Sequence, residues 1–472
     1  MSSNSVAYVY RPVTIDAIVK VFEVARQCGK TVALKGAGNS YGDAFQNAEN
    51  IVIDLSRMKR ILEFDPRNGI VKCEPGVTIQ ELWHYVIGDG WWPPVVSGTS
   101  YITLGGALAA NIHGKNNLHE GTIGEHVLSF DLLIPNGEVI QVDRDSEPEL
   151  FFAVIGSFGL LGVIASFTLQ LKRIHSGYLD VQAISVPNFD AAFEAFQSKA
   201  EQHDYIVAWI DAFASGPRCG RGLIHIADYL KERDDAHPEE SLRVDAQKLP
   251  DTVAGWIARS RMWKLMRPWV RPTGMRIVNW AKYTAGKREH GKRYRQSLAA
   301  FNFLLDSAPN WKWSYRPGGL VQYQPFIPMD RARDAFDRII TLSQDRGFVP
   351  FLTVMKRHRP DSFLLSHAVD GFSLALDYKV TKKNRESFRE LIRALDEIVF
   401  EAGGKFYFAK DSTLQRGAAK LFLDEASISS FMAIKQRIDP EMILQSDLSR
   451  RIFGEFVPVS NALETTDESQ IL

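Results

Sequence analysis

Three groups of glycines in the first third of the sequence have the spacing of loops that bind an anion. The first lies in residues 36–42, the second in residues 98–114, and the third begins at Gly121. Glycine lets the backbone turn tightly and present several N–H groups to one ligand. A single such turn is usually only structural, but three within about 90 residues indicate a large diphosphate ligand. Neither GxGxxG nor GxxxxGK followed by Ser or Thr occurs there, so the Rossmann and P-loop signatures are absent.

The loop residues expected to contact this ligand are mostly small or polar. They are Gly36, Ala37, Gly38, Asn39, Ser40, Tyr41 and Gly42, then Gly98, Thr103, Leu104, Gly105, Gly106, Asn111, His113 and Gly114, and finally Gly121. His113 has the chemistry for an electrostatic or acid–base role, because histidine titrates near neutrality. By residue type alone, a histidine whose hydrogen bonds are satisfied within its loop is the more common case.

A polar pair alternates with an aromatic residue in the second half of the chain. Gln322 and Gln324 share one face of a predicted strand, and Tyr323 lies on the other. Amide side chains hydrogen-bond sugar hydroxyls, although a glutamine on an edge strand is often only solvated. By residue type alone, two lysines also have interpretations without a catalytic role. Lys356 is then a solvated strand end, and Lys410 is a surface lysine paired with the adjacent acid.

The elements that must position these residues alternate between short strands and amphipathic helices. Helices are predicted at residues 14–28, 148–155, 331–346 and 384–402, and strands at residues 31–34, 51–55, 61–65, 70–73, 129–134, 139–142, 161–171, 320–326, 351–356 and 372–380. The chain after Ile438 is predicted to be helical before a polar tail.

Composition excludes several classes of function. The 472 residues exceed one ordinary domain, and 56 basic residues balance 56 acidic ones, so the whole chain has no attraction for nucleic acid. Three cysteines without a CxxC fit a reducing compartment, and no metal site is expected. Neither a run of about 20 apolar residues nor a signal peptide is present, which predicts a cytoplasmic protein.

Residues 256–295 combine basic side chains with tryptophans. Between Arg259 and Arg295 the sequence contains twelve Lys or Arg residues and one acidic residue. Tryptophans occur at positions 256, 263, 269 and 280. This composition is typical of a peripheral membrane contact, where cations hold anionic headgroups. An equally good interpretation is a solvated helical insertion with its tryptophans in the core. Nucleic-acid binding is less well supported, because no recognised module accompanies the charge.

The chain resembles the vanillyl-alcohol oxidase superfamily, with its PCMH-type FAD-binding domain, in three segments. These segments are, in order, GAGNSYGD, SGTSYITLGGALAANIHGKN and GTIGEHVLSFDLLIPNGEV. Within this superfamily, the chain is most similar to the decaprenylphosphoryl-β-D-ribose 2-oxidases, flavoenzymes of arabinan (cell-wall polysaccharide) precursor synthesis. The segments LVQYQ, FLTVMK, YFAKDS and RIDP extend the resemblance to nearly the whole chain, most weakly at about 215–300.

This resemblance implies an α+β fold in three parts. We expect a two-part PCMH-type FAD-binding domain in residues 1–175. An antiparallel-sheet substrate domain follows in residues 176–404, with the basic, Trp-rich insertion near 256–295. The C-terminal segment, residues 405–472, is expected to return to the FAD domain and complete its site.

The resemblance also implies roles for individual residues. His113 is expected beside the isoalloxazine, and Ile164 and Tyr407 against the FAD. Lys410 matches a lysine at the substrate hydroxyl, where it stabilises the forming alkoxide or accepts its proton. Lys356 matches a second substrate-site lysine, and Gln322, Tyr323, Gln324, Ser373 and Asp377 match substrate positions. Asn39 stands where many relatives carry a flavin-linking histidine, so non-covalent FAD is expected.

The implied reaction is hydride transfer from a sugar carbinol to flavin N5, giving a keto sugar as the first half of an epimerisation. A polyprenyl-phospho-sugar is the implied substrate, an NAD-dependent short-chain reductase the implied partner, and a quinone or oxygen the electron acceptor. Peripheral contact with the inner membrane face would fit this substrate.

Two departures from the family pattern widen the choice of substrate. Ser373 and Ala375 replace an asparagine and a pocket cysteine, and Asn302 replaces an aromatic residue. An oxidase of soluble sugars, alditols or aldonolactones therefore stays open as an alternative. So does a catalytically silent flavin-binding scaffold.

Overall fold

A computed structural model describes residues 5–249, 251–253 and 257–458 of the protein. The strands are β1 Tyr8–Tyr10, β2 Val32–Lys35, β3 Ile51–Asp54, β4 Ile61–Asp65, β5 Ile70–Cys73, β6 Trp91–Trp92, β7 Val127–Leu133, β8 Val139–Asp143, β9 Val163–Gln170, β10 Lys172–Arg173, β11 Tyr178–Val186, β12 Tyr205–Ile210, β13 Gly222–Tyr229, β14 Thr252–Val253, β15 Ile257–Ala258, β16 Arg293–Ser297, β17 Gly319–Tyr323, β18 Pro325–Pro328, β19 Leu352–His358, β20 Gly371–Val380 and β21 Lys405–Phe406.

The α-helices alternate with these strands along the chain. They are α1 Ile15–Gln27, α2 Ile79–Val86, α3 Leu104–Ala109, α4 Asn117–Glu120, α5 Pro148–Val154, α6 Phe189–Lys199, α7 Pro238–Ser241, α8 Val244–Gln247, α9 Met262–Met266, α10 Pro272–Arg288, α11 Leu298–Asn302, α12 Met329–Asp345, α13 Arg385–Glu401, α14 Glu425–Ile438 and α15 Asp447–Ile452. The four predicted helices and nearly all predicted strands are confirmed, with ends that shift by at most two residues.

The N-terminal part contains three small sheets, one of which is the two-stranded antiparallel pair of β6 and β10. A parallel sheet has the order β1-β3-β2, and an antiparallel sheet has the order β4-β5-β9-β7-β8. Helix α1 packs on the parallel sheet, and its first turn is capped by Thr14, which accepts a hydrogen bond from the N–H of Ala17 at 3.2 Å. Ile18, Phe22 and Ala25 on one face of α1 are fully buried, and Ile15 and Val19 beside them are partly buried.

Strands between residues 178 and 406 form one large sheet of nine strands. Its order is β16-β11-β13-β12-β19-β20-β18-β21, with β17 also paired to β20, and every pair is antiparallel. Helices α12 and α13 pack against each other and against strands β18 and β20. Successive side chains of a strand point to opposite faces, so in β19 Met355 is fully buried while Val354 and Lys356 line a cavity.

The strand predicted at residues 320–326 is interrupted. It forms β17 and β18, with Gln324 between them, although both segments pair with β20 in one continuous register. Pro325 has no N–H to donate to the ladder, which is a physical reason for the break.

The C-terminal segment returns to the N-terminal part, as predicted. Leu444 forms a parallel bridge with Val32, and the Lys435 ammonium donates to the carbonyl of Leu160 at 2.9 Å. The α+β architecture is confirmed, while the domain limits at 175 and 404 stay predictions. The expectation of a helix after Ile438 is wrong for most of the described residues: α14 ends there, because Asp439-Pro440 interrupts it, and between residues 439 and 458 only the short α15 is α-helical. The predicted polar tail lies outside the described residues.

Candidate active site

A cavity of about 750 Å³ lies where the glycine loops meet the large sheet. It gathers residues that the sequence placed in separate motifs. Those that line it are Gly36, Ala37, Gly38, Asn39, Ser40, Tyr41, Gly98, Thr103, Gly106, His113, Gln322, Gln324, Lys356, Asp377, Tyr407 and Lys410. Three distant parts of the chain therefore build one site.

Other predicted site residues do not line this cavity. They are Gly42, Leu104, Gly105, Asn111, Gly114, Gly121, Ile164, Tyr323 and Ser373. Gly105 and Ile164 line a smaller cavity of about 70 Å³ that shares Gly36 and Thr103 with the first. Asn111 supports the third loop, because its Oδ1 accepts a hydrogen bond from the N–H of Gly124 at 3.0 Å.

Two of the predicted substrate residues, Tyr323 and Ser373, lie behind the lining of the cavity. Tyr323 follows Gln322 directly, so it points to the opposite face of the strand, where its hydroxyl donates to Asp396 at 3.0 Å. Ser373 is fully buried behind Gln324, whose Nε2 lies 3.3 Å from Ser373 Oγ. Both residues support the site from outside the cavity.

The first glycine loop forms a cradle that fits a diphosphate. A Cβ at Gly36 would clash with Thr103 Oγ1, so only glycine permits this approach of the first and second loops. Within the described part of the chain, the backbone N–H groups of residues 37–40 make no hydrogen bond, and Thr103 Oγ1 is buried without a partner. Free donors beside a glycine-lined cavity suit the pyrophosphate of FAD.

Asn39 connects the first loop to the second. Its Nδ2 donates to the carbonyl of Tyr101 at 3.0 Å. None of the cavity-lining residues that the structure describes is a cysteine, since Cys28, Cys73 and Cys219 lie elsewhere.

The C-terminal turn at residues 407–411 closes the cavity beside the first loop. The N–H of Tyr41 donates to the carbonyl of Ala409 at 2.9 Å, and a Cβ at Gly42 would clash with the carbonyl oxygen of Asp411. Arg451 connects the C-terminal turn to the first loop, because its guanidinium donates hydrogen bonds to Asp411 and to Asp43, each at 2.7 Å. This pairing replaces the predicted alternative of an ion pair between Lys410 and Asp411.

Lys410 lies in a cluster of polar aromatic and charged side chains. The ammonium groups of Lys410 and Lys312 each lie 3.9 Å from the centre of the Tyr41 ring. Burial, followed by the nearby charge of Lys312, lowers the pKa of Lys410 to about 7. Burial raises the pKa of Asp377 to about 6, although both lysines oppose this shift. A lysine with such a pKa exchanges a proton near neutral pH.

His113 begins a chain of buried hydrogen bonds. Its Nε2 lies 3.3 Å from Gln324 Nε2, and Gln324 Nε2 also contacts Ser373 Oγ. Ser373 Oγ lies in turn 2.8 Å from His358 Nε2. Burial and the charge of Lys356 lower the pKa of His113 well below its ordinary value, so the ring is neutral. Its Nδ1 is buried and has no partner among the described residues, which leaves it for a ligand.

The sheet presents an amide–carboxyl pair to the cavity. Gln322 and Asp377 are cross-strand neighbours, and Gln322 Nε2 donates to Asp377 Oδ1 at 2.6 Å. Gln322 Oε1 and Asp377 Oδ2 are buried without a partner in the described residues. An unsatisfied buried polar atom costs about 1–3 kcal/mol, so these atoms are suited to hydroxyls of a bound ligand.

The charge of the cavity differs from that of the whole chain. Five lysines line it, namely Lys115, Lys282, Lys312, Lys356 and Lys410, against two acids, Asp306 and Asp377. The sequence motifs did not identify Lys115, Lys282 or Lys312 as site residues. Lys115 lies two residues after His113, and this spacing could have indicated that it belongs to the site. Lys282 and Lys312 come from segments without a recognised motif.

The basic, Trp-rich stretch keeps much of its apolar surface exposed. Trp269 is 48% exposed and Trp280 59%, which contradicts a core position for these two tryptophans. Trp263 packs edge-on against Trp313, with ring centroids 5.3 Å apart, and Trp256 lies outside the described residues. Exposed cations surround them, namely Lys264, Arg267, Arg271 and Arg276.

Among the residues that the structure describes, no helix is long and apolar enough to span a bilayer. The one group of potential metal ligands found there, His237, Glu239 and Glu240, is exposed and does not line the cavity.

Comparisons with known proteins agree with this geometry. Residues 6–143 match an FAD-binding domain. The chain is 30% identical to a decaprenylphosphoryl-β-D-ribose oxidase of Mycolicibacterium smegmatis, over 93% of this chain and 92% of that protein. It is 22% identical to an L-gulono-1,4-lactone dehydrogenase of Mycobacterium tuberculosis over 94% and 96%, and 25% identical to a D-arabinono-1,4-lactone oxidase of Eremothecium gossypii over 42% and 37%. The chain therefore belongs to the family of the decaprenylphosphoryl-β-D-ribose oxidases, and it is an FAD-dependent oxidoreductase that acts on CH–OH groups.

Proposed function

We propose that the protein oxidises a ring carbinol of a polyprenyl-phospho-sugar to a ketone. The observation that carries this proposal is the excess of five lysines over two acids in a cavity of a chain with no net charge. Such a cavity favours an anionic substrate over a neutral sugar. The keto product suits a second, NAD-dependent reduction of the opposite face, which would complete an epimerisation in a separate short-chain reductase.

Each side chain has a role in this reaction. Bound FAD supplies the acceptor for the hydride that leaves the carbinol carbon, and a quinone or oxygen later takes the electrons. Lys410 in its neutral form accepts the hydroxyl proton as the C=O bond forms, and the ammonium group that results donates a hydrogen bond to the carbonyl oxygen. Gln322, Gln324 and Asp377 orient the sugar hydroxyls. Neutral His113 and the buried ring of Tyr407 support the cofactor, and Lys356 faces the anionic end of the substrate.

The cofactor is proposed to be held without a covalent bond. Asn39, which occupies the position of a linking histidine in many relatives, offers no nucleophile, and no cysteine occurs among the described lining residues. Acid precipitation of the purified protein is therefore expected to leave the yellow chromophore in the supernatant, measured by absorbance. Yellow protein in the pellet after washing would show a covalent link instead.

Peripheral membrane contact is proposed for the stretch around α9 and α10. Each basic residue near an anionic bilayer contributes about 1 kcal/mol to the free energy of membrane binding. Neutralising Lys264, Arg267, Arg271 and Arg276 to glutamine is therefore expected to weaken binding to vesicles with anionic lipid by at least about 100-fold, measured by co-sedimentation. A matched variant, with the exposed residues Lys382, Lys383, Arg385 and Arg393 changed to glutamine, should bind as the unmodified protein does. Equal binding by all three proteins would refute the proposal.

A second candidate function is the oxidation of an aldonolactone. It is favoured by the similarity to an L-gulono-1,4-lactone dehydrogenase over 94% of the chain and by the small side chain of Ala375 in the cavity. The two candidates differ in the charge of the substrate, because a lactone has no group for the lysine-rich part of the cavity.

Product analysis tests the proposal. The holoenzyme is incubated with a polyprenyl-phospho-pentose and an electron acceptor, and the product is examined by mass spectrometry. The proposal predicts a mass two hydrogens lower and trapping of one carbonyl by hydroxylamine. Turnover of L-gulono-1,4-lactone with an unchanged polyprenyl-phospho-pentose would favour the second candidate.

A further inference from the structure

The cavity continues beyond the site of oxidation along the face of the large sheet. Past Lys356 on β19 it is lined by Trp209 on β12 and His225 on β13. Neighbouring strands lie about 4.8 Å apart, so the three spacings from β20 to β13 amount to roughly 14 Å. The floor therefore has room for a sugar ring at Asp377 followed by a second chemical group near His225.

The group that fits this far end is an anion. Lys115 and Lys282 line the cavity there, and neither ammonium has a carboxylate within 4.0 Å among the described residues. Lys115 lies 4.4 Å from the centre of the Phe301 ring and donates to the carbonyl of Phe301. Lys282 lies 4.4 Å from the centre of the Trp209 ring. Lys115 is half-buried and Lys282 is exposed, so both ammonium groups are accessible to an anion in the cavity, and no ion pair has to break before that anion binds.

Burial shifts the pKa values of two of these groups. It lowers the pKa of Lys115 to about 8, and together with the charges of Lys282 and Lys115 it lowers the pKa of His225 to about 4. His225 is therefore neutral at pH 7 and offers a ring N–H as a donor, while Lys115 is still mostly protonated. An anion bound between these groups would raise both pKa values.

We propose that Lys115, Lys282 and His225 form a phosphoryl subsite, separate from the reacting end at Lys410 and Asp377. It takes the phosphoryl group that joins the sugar to its lipid chain, and this inference deepens the proposed function and rests on it. Tyr294 on β16 also lines the cavity and is 43% exposed, so the cavity reaches the surface of the protein beside it. An apolar chain attached to the phosphate leaves the cavity by this route.

The test measures binding rather than turnover. The holoenzyme is titrated by calorimetry with farnesyl phosphate, with farnesol and with inorganic phosphate. Farnesyl phosphate is expected to bind, and Lys282→Met to weaken it at least tenfold without changing the weak binding of farnesol. The matched control, Lys287→Met, changes an exposed lysine on the same helix that does not line the cavity, and it should bind farnesyl phosphate unchanged. Bound FAD and the melting temperature confirm that both variants fold.

The outcomes separate the subsite from the proposed function. If inorganic phosphate competes with farnesyl phosphate for the unmodified protein but not for Lys282→Met, the phosphoryl group itself is the ligand. If farnesyl phosphate binds and inorganic phosphate does not compete, the ligand is a lipid phosphate that needs its chain. Both results support the subsite. No binding of farnesyl phosphate, equal weakening in both variants, or equal weakening for farnesol would overturn it. Farnesyl phosphate binding in a protein that oxidises no polyprenyl-phospho-sugar would instead leave the subsite standing and refute the proposed function.

Discussion

Replacing Lys410 by methionine is expected to leave FAD bound and to slow flavin reduction by about 10²–10⁴-fold, the usual contribution of a general base. The ammonium group lies over Tyr41 beside Asp377, and methionine keeps the length of the side chain while removing both the base and the charge. Stopped-flow absorbance under anaerobic conditions measures the rate, and the visible spectrum of the purified variant measures the retained FAD. Unchanged reduction would remove Lys410 from the chemistry.

The pH dependence gives an independent check of the same role. A base acts in its deprotonated form, so the rate of flavin reduction should rise as the pH rises through about 7, the pKa of Lys410, and then level off. Lys312 holds that pKa down through its charge. Lys312→Met is therefore expected to shift the midpoint to a higher pH while retaining most of the limiting rate. A midpoint that does not move would contradict the contact between the two lysines.

Replacing Lys435 by methionine is expected to destabilise the fold by about 3–5 kcal/mol, because it breaks a fully buried ion pair and leaves one charge behind. Both Lys435 and Asp439 are completely inaccessible to solvent, and their Nζ–Oδ2 distance is 2.6 Å. The same ammonium donates to the carbonyls of Leu160 and Leu444, each at 2.9 Å. The loss should therefore detach the C-terminal segment from the N-terminal part, and bound FAD should decrease with it.

Urea unfolding followed by circular dichroism measures this change. Arg389→Met is the control, since it removes one partner of an exposed i,i+3 pair with Glu386, which contributes about 0–1 kcal/mol. A loss at Lys435 no larger than at Arg389 would contradict the view that the C-terminal segment is fixed by the buried pair.

Local patterns predicted much of the fold, because the elements concerned follow from their own residues. The apolar positions of α1 recur at helical spacing, and the alternation in β19 and β20 sets which side chains face the cavity. The glycine loops were recognised for the same reason, since Gly36 and Gly42 allow close approaches that any side chain would block. The face that Gln322 and Gln324 share was predicted from a period of two.

The residues that the sequence did not predict depend on tertiary packing. Lys312 and Lys282 reach the cavity from segments with no catalytic motif, and only the folded chain brings them beside Tyr41 and Trp209. For Tyr323 the two lines of reasoning differed: the period of two placed it on the face opposite Gln322 and Gln324, whereas the family match placed it with the substrate residues. The break at Pro325 was not predicted, because the strand was extended across a proline that has no N–H to donate to the ladder.

Anaerobic reduction of the bound flavin by candidate substrates tests the proposed function most directly. The holoenzyme is mixed with a polyprenyl-phospho-pentose, with the corresponding free pentose and with L-gulono-1,4-lactone, and the loss of flavin absorbance is followed in each case. We predict rapid bleaching by the polyprenyl-phospho-pentose and bleaching at least about 100-fold slower by the two neutral compounds, as the loss of a charge-assisted contact of about 3 kcal/mol requires. Faster bleaching by the free pentose or the lactone, or none by the polyprenyl-phospho-pentose, would contradict this function.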